Sequence, residues 1–294
     1  MIPRVVSGAV LAVLAFTSIL YLPQKLFLLL MDVVLLFSLR EFWQLLSGYH
    51  TRHQLDSCVD AGPPTAEESS FSPGSPESCS RAIRGSERLG WVCLLLGLLL
   101  TWIWVFQRSW MPPYLFLVFL FVMALSLTIG DVEWRFPSAA GHFFGFCYVG
   151  FPVCLAVSYQ KQPHELLLIL LTVAVADIGA FLVGRSWGTH KMVPRISPKK
   201  SWEGFVGGMV LCVLFSLLYG CNFLPDKTPL FLTLLALVLG TAATVGDLFE
   251  SAIKRGAGVK DSGSSIPGHG GLLDRMDGIL FALPTYYCLS FLLE

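Results

Sequence analysis

The sequence predicts an all-α, polytopic integral membrane protein with about nine transmembrane helices, and three observations carry that prediction. Of its 294 residues 54% are hydrophobic and only 14% charged, too few charges to coat a soluble globule of this size. The apolar residues fall in continuous runs near the ~20 residues that a helix needs to cross a hydrocarbon core. Because the runs do not alternate in polarity, they read as helices, which satisfy their own backbone in lipid, and not as strands of a barrel. The third observation is the placement of Lys and Arg, which is lopsided in the way membrane topology demands.

In chain order the runs are approximately 5–22, 26–46, 90–107, 114–130, 143–160, 165–184, 204–220, 229–249 and 278–293. The first shows no small-residue cleavage site and leads through Tyr21-Leu22-Pro23 into the second, so it is expected to be a retained span and not a signal peptide. Between the second and third lies 48–88, rich in Pro, Ser, Gly, Glu and Asp, which is expected to be a flexible cytoplasmic loop without chemistry. Residues 1–160 thus form an N-terminal set of spans, and 161–294 a C-terminal set that carries the catalytic loops. No internal repeat is evident.

With the N-terminus in the cytoplasm, sixteen of the 20 Lys and Arg residues lie on the cytoplasmic side, leaving Lys25, Arg108, Lys161 and Lys227 opposite. The two richest polar loops, 185–203 and 250–277, then share one face. Net charge is zero, so no global field attracts nucleic acid. Cys93, Cys147, Cys154, Cys212, Cys221 and Cys288 sit in or beside apolar runs without CxxC spacing and read as small hydrophobes, not zinc ligands.

Chemistry concentrates in the second polar loop. Over 251–277 Lys254, Arg255, Lys260, Asp261, His269, Asp274, Arg275 and Asp277 crowd between two spans, with glycines that include Gly268, Gly270 and Gly271. Glycines let backbone approach a phosphate closely, and basic side chains beside them suit an anionic ligand. Asp247 and Ser251 stand at the end of the eighth span. Asp247 and Asp274 begin and end one re-entering loop, so their carboxylates can converge as the protein's share of a Mg²⁺ site. A second cluster starts with Asp177, an intramembrane carboxylate and therefore a functional candidate, and continues through Arg185 to Ser197, Lys199 and Lys200. Trp202 reads as an interfacial anchor. His269 is expected to contact ligand first and to act as a base second, since a phosphate monoester is already anionic.

At these residues the sequence resembles the phosphatidate cytidylyltransferase family, also called CDP-diglyceride synthases. Its C-terminal signature finds a match at every fixed position: Ser251, Lys254-Arg255, Lys260-Asp261, Pro267 through Gly271, Asp274-Arg275 and Asp277. SPKKSWEG at 197–204 is similar to a second family element, with Ser201 where threonine is common, and Asp177 with Gly184-Arg185 fits the preceding helix. The resemblance is specific over about 174–277 and only architectural before that.

The resemblance implies Mg²⁺-dependent transfer of a cytidylyl group from CTP to phosphatidic acid, giving CDP-diacylglycerol and pyrophosphate, by a dimer in contact with membrane lipids. It places the metal aspartates at Asp247 and Asp274. Three other activities are weighed against this one: a CTP-dependent lipid-alcohol kinase, a transporter built around Asp177, and a CDP-alcohol phosphotransferase whose spaced acidic motif is not found. The chain's modest length favours a bacterial inner membrane, with the site facing the cytoplasm.

Overall fold

The computed structural model describes residues 2–60, 76–107, 110–126, 132–266 and 270–293. Among them nine α-helices follow one another: α1 (Ile2–Tyr21), α2 (Gln24–Asp60), α3 (Pro76–Phe106), α4 (Met111–Ser126), α5 (Val132–Tyr159), α6 (Pro163–Trp187), α7 (Trp202–Phe223), α8 (Pro229–Gly256) and α9 (Asp277–Leu293). The protein is an all-α membrane protein. Five helical stretches are long and apolar enough to cross a bilayer outright: Leu89–Phe106, Phe136–Tyr159, Pro163–Trp187, Trp202–Phe223 and Pro229–Gly256. Ala12–Tyr21, Pro113–Leu125 and Asp277–Leu292 are apolar but shorter, and α2 carries Lys25, Asp32, Arg40 and Glu41 along its first half. Large side chains such as Phe116, Leu218, Leu230 and Phe291 stay exposed, as lipid-facing residues do.

Two expectations change. The stretch 48–88 was expected to be a flexible loop; α2 continues through Asp60 and α3 begins at Pro76, so both flanks of the stretch are helical, and 61–75 between them lie outside the described residues. A membrane helix can run on past the bilayer where it finds something to pack on. Here Tyr49 covers Gly256, and Arg52 Nη1 lies 3.5 Å from the Arg255 carbonyl, at the end of α8. The other departure is a two-stranded antiparallel hairpin, β1 (Lys191–Val193) and β2 (Ser197–Ser201), pairing Lys191 with Ser201 and Val193 with Ser197. Pro198 fits there because a two-stranded hairpin is all edge and need not use every donor.

Local chemistry sets the helix ends near the site. Ser201 closes β2 and caps α7 by accepting from the Gly204 amide at 3.2 Å. Thr228 caps α8 through the Phe231 amide, with Pro229 at the first helical position, where its missing N–H costs nothing. At the other end of α8, Lys254 and Arg255 complement the carbonyl end of the helix dipole.

Helix α6 lies against α7, α7 against α8, and α8 against α9. A seam of small residues lets α6 and α7 touch backbone to backbone. A Cβ on Gly208 would stand 2.8 Å from the Ala176 carbonyl, and one on Gly204 would stand 3.1 Å from the Gly184 Cα. Helices α2, α3 and α5 form the other group and join the first through α5 and α9. In this group Asp32 accepts from the Thr101 hydroxyl at 2.6 Å and from Trp102 Nε1 at 3.1 Å, which pins α2 to α3. Phe42, Tyr148, Phe249 and Phe281 meet in tilted and edge-to-face pairs at 5.6–6.0 Å between ring centroids and join α2, α5, α8 and α9 beneath the polar loop.

Candidate active site

Asp247, Ser251 and Lys254 recur at spacings of four and three, which places them on one face of α8. Ser251 Oγ donates to Asp247 Oδ1 at 3.3 Å. Lys200, brought in by β2, pairs with Asp247 Oδ2 at 2.7 Å and donates to the Thr244 carbonyl at 3.4 Å. One turn on, the buried Lys254 ammonium lies 2.5 Å from Asp274 Oδ1 and 3.0 Å from Glu250 Oε1. The second approach is off the hydrogen-bond direction, so both oxygens of the fully buried Glu250 lack a hydrogen-bonded partner.

After α8 the chain turns through Gly258, at φ +76, and re-enters over Asp274. Asp274 Oδ2 accepts from the Ser262 amide at 2.8 Å, the Gly271 amide at 2.9 Å and the Ser262 hydroxyl at 3.0 Å. Gly270 has φ +80, and a Cβ there would stand 2.9 Å from that same oxygen, so only glycine fits. Burial works to raise the Asp274 pKa, but the Lys254 ammonium and the amides of Gly271 and Ser262 outweigh it and hold the carboxyl below the usual range. A 3-10 turn, Leu273–Arg275, then leads into α9.

Glu41, 2% exposed on α2, reaches under the loop and accepts from the Leu272 amide at 3.0 Å, the Leu273 amide at 2.8 Å and the Ser262 hydroxyl at 3.0 Å. Asp177 on α6, Asp247 on α8 and Asp277 at the start of α9 lie within electrostatic reach of one another, with Lys200 near Asp177. The Asp277 backbone is packed directly on Gly246, where a Cβ would stand 2.5 Å from the Asp277 carbonyl.

These surroundings suit a divalent cation. Asp177, Asp247 and Asp277 repel one another, Lys200 is paired directly with Asp247 alone, and the carboxylate oxygens are hard donors. Among the described residues no three His, Cys, Asp or Glu side chains converge tightly enough to hold an ion alone. Mg²⁺ is commonly bound by only one or two carboxylates, with water and phosphate oxygens filling the rest of its shell. Asp247 Oδ2 and Asp274 Oδ1 are each held by a lysine, Lys200 and Lys254, so a cation there would have to share or displace those ammonium groups.

The structure therefore gathers Asp177, Lys200, Asp247, Ser251, Lys254, Gly270, Gly271, Asp274 and Asp277. Arg185, Lys199, Lys260, Asp261 and Arg275 are exposed, with Asp261 beside Gly270. Arg255 is also exposed and donates to the Val259 carbonyl at 3.1 Å, bracing the turn after α8. Ser197 pairs with Val193 at the start of β2. Gly268 and His269 lie outside the described residues. Glu41, Glu250 and Ser262 are the polar groups that sequence reasoning missed. Glu250 alone left a signal, standing four residues before Lys254 on a helix.

Fold and site together define a helical membrane protein with a lysine- and carboxylate-lined, glycine-rich loop at one end of its helices. The profile of the family described as "Cytidylyltransferase family" matches residues 76–293, and the chain belongs to that family. Among curated relatives, a phosphatidate cytidylyltransferase of Mycobacterium leprae is 48% identical over 112 residues, 38% of this chain and 36% of that protein. One of Mycobacterium bovis is 47% identical over 135 residues, 46% of this chain and 43% of the relative. One of Bacillus subtilis is 33% identical over 210 residues, 66% of this chain and 77% of the relative. The matched stretch is thus less than half of either mycobacterial protein.

Proposed function

We propose that this protein transfers a cytidylyl group from CTP to phosphatidic acid, giving CDP-diacylglycerol and pyrophosphate for phospholipid synthesis. The observation that carries the reading is the pair of lysine–aspartate contacts, Lys200 with Asp247 and Lys254 with Asp274, which follow one another along the last turns of α8. The names of the relatives point to the same reaction.

An oxygen of the phosphatidate phosphate attacks the α-phosphorus of CTP in line. A new P–O bond forms, the α–β anhydride bond breaks, and pyrophosphate leaves with the electron pair. The attacking monoester is already anionic, so no strong base is needed, and catalysis rests on position and charge. Lys200 and Lys254 donate to phosphate oxygens, while Lys199, Arg255, Lys260 and Arg275 share the remaining charge of nucleotide and lipid. Asp247 and Asp274 would hold Mg²⁺, which when bound supplies further neutralisation of the phosphate oxygens. Asp177 and Asp277 complete the acidic wall, and Ser251 orients Asp247 through its hydroxyl.

The loop emerges where the helices end, so a lipid phosphate can reach it without its chains leaving the bilayer. The positive-inside distribution supports a cytoplasm-facing site, the relatives' organisms support a bacterial inner membrane, and the family resemblance supports a homodimer. Labelled CTP tests the reaction. Incubation with phosphatidate and Mg²⁺ is expected to move label from the α-phosphate into lipid and label from the γ-phosphate into pyrophosphate. Gamma label in lipid, with CDP released, would instead establish a kinase.

A further inference from the structure

We propose that Glu41 is a positioning residue of the catalytic loop, acting from α2 to fix the turn that presents Asp274 to Lys254; the role rests on the cytidylyl-transfer reading above. Glu41 stands outside the matched stretch 76–293, on a helix that would otherwise read as a simple membrane span. Its carboxylate is 2% exposed, yet among the described residues it forms no ion pair. A buried charge without a counter-ion is costly unless donors surround it. Here the donors come from the loop itself: the Leu272 and Leu273 amides and the Ser262 hydroxyl, at 2.8–3.0 Å.

The loop is shaped around this carboxylate. A Cβ on Gly271 would stand 2.3 Å from Glu41 Oε2 and 2.0 Å from Ser262 Oγ, and one on Gly263 would stand 3.0 Å from the Glu41 carboxyl. Two glycines of the signature region therefore leave space for Glu41 as well as for backbone near a phosphate. Ser262 Oγ is 3.0 Å from Glu41 Oε2 and 3.0 Å from Asp274 Oδ2, so its single proton is shared between the two acids. The Gly271 amide donates to Asp274 while the next two amides donate to Glu41. Three consecutive amides are thus divided between the two acids, and moving one carboxylate displaces the other. Glu41 touches none of the reacting groups and acts only through Asp274.

The test uses the full chain in detergent micelles containing phosphatidate, with CTP and Mg²⁺, comparing wild type with Glu41→Gln, Glu41→Asp and Ser262→Ala. Glu41→Gln keeps length and volume but turns one acceptor into a donor facing an amide. Its kcat is expected to fall about 30-fold, since a misplacement near 1 Å can cost about 100-fold, while KM for CTP and phosphatidate stays within about 3-fold. Amide hydrogen exchange is expected to rise over 262–273 and to stay unchanged in α6 and α7. Glu41→Asp should recover part of kcat by restoring the charge, and Ser262→Ala should show a smaller loss because Glu41 keeps both backbone bonds. An unchanged kcat in Glu41→Gln beside an active wild type overturns the proposal and leaves the reaction standing. A loss that tracks general unfolding, seen as faster exchange in every helix, also overturns it. A wild type that makes no CDP-diacylglycerol overturns the functional reading and this role with it.

Discussion

Lys254 serves two acids at once, and removing it isolates both. Glu250 is fully buried and has no hydrogen-bonded partner, and the positive charge beside it is the Lys254 ammonium 3.0 Å away. Lys254→Met is expected to destabilise the protein by roughly 3 kcal/mol, the order of the cost of breaking a buried pair by removing one partner. Adding Glu250→Gln should return part of that loss, and the midpoint of thermal unfolding in detergent measures both. Asp274 behaves differently because its folded pKa is depressed. A depressed carboxyl contributes stability that is fully present above its ordinary value of 3.8 and is lost as pH falls through the lower folded value. Protection of 262–266 and 270–275, followed by hydrogen exchange, should therefore hold from pH 7 down to about 3.8 and be lost as pH falls further, through the lower folded value. Asp274→Asn should abolish this acid transition. Lys254, Asp274 and the glycines around them were legible in the sequence because their residue types announce their chemistry. Glu41 was not, since an acid at the end of an apolar run looks like an ordinary helix terminus until folding brings residue 272 against it.

The elements show why a sequence reads some boundaries well and others poorly. The apolar runs marked the helices because lipid forces backbone polarity to be satisfied within each segment. Nothing of that kind constrains a polar stretch, so composition alone made 48–88 look like a loop while α2 and α3 extend into it from either side. Gly48, Tyr49 and Arg52 are the residues that meet the end of α8, and their partners lie some 200 positions away in the chain. The hairpin at 191–201 escaped for a related reason, since its strands are too short to show a period. The α6–α7 seam, also unread in the sequence, is made by glycines at 179, 204 and 208. Gly208→Val places its Cβ against the Ala176 carbonyl, a backbone atom that cannot rotate away. It is expected to cost about 1–3 kcal/mol and to separate Asp177 from Lys200, lowering both yield and turnover.

At the scale of the whole molecule, the family match begins at residue 76, but the site it defines is closed from outside the match. Glu41 and Arg52 on α2 brace the loop after α8, and the aromatic cluster from Phe42 to Phe281 joins the same elements below it. The N-terminal helices are therefore part of the working unit as well as its anchor. The proposed orientation, with the site facing the cytoplasm, can be tested from the same architecture. Lys199 and the site sit at one end of the helices, whereas exposed Cys221 follows the long apolar run of α7 toward the other. In a chain whose other cysteines are replaced by serine, a membrane-impermeant maleimide should label Lys199→Cys in inverted vesicles only, and Cys221 in right-side-out vesicles only. Labelling of both from one side would contradict the topology.

The most direct test of the central claim is lipid product formation by purified protein in phosphatidate-containing vesicles, with CTP, across a Mg²⁺ titration, beside Asp247→Asn. The account requires CDP-diacylglycerol and pyrophosphate in equal amounts, dependent on Mg²⁺, with turnover in Asp247→Asn reduced by about 100-fold or more. Equal turnover in the folded variant would contradict the assigned site. CDP in place of pyrophosphate, or no nucleotide turnover by well-folded wild-type protein, would contradict the reaction.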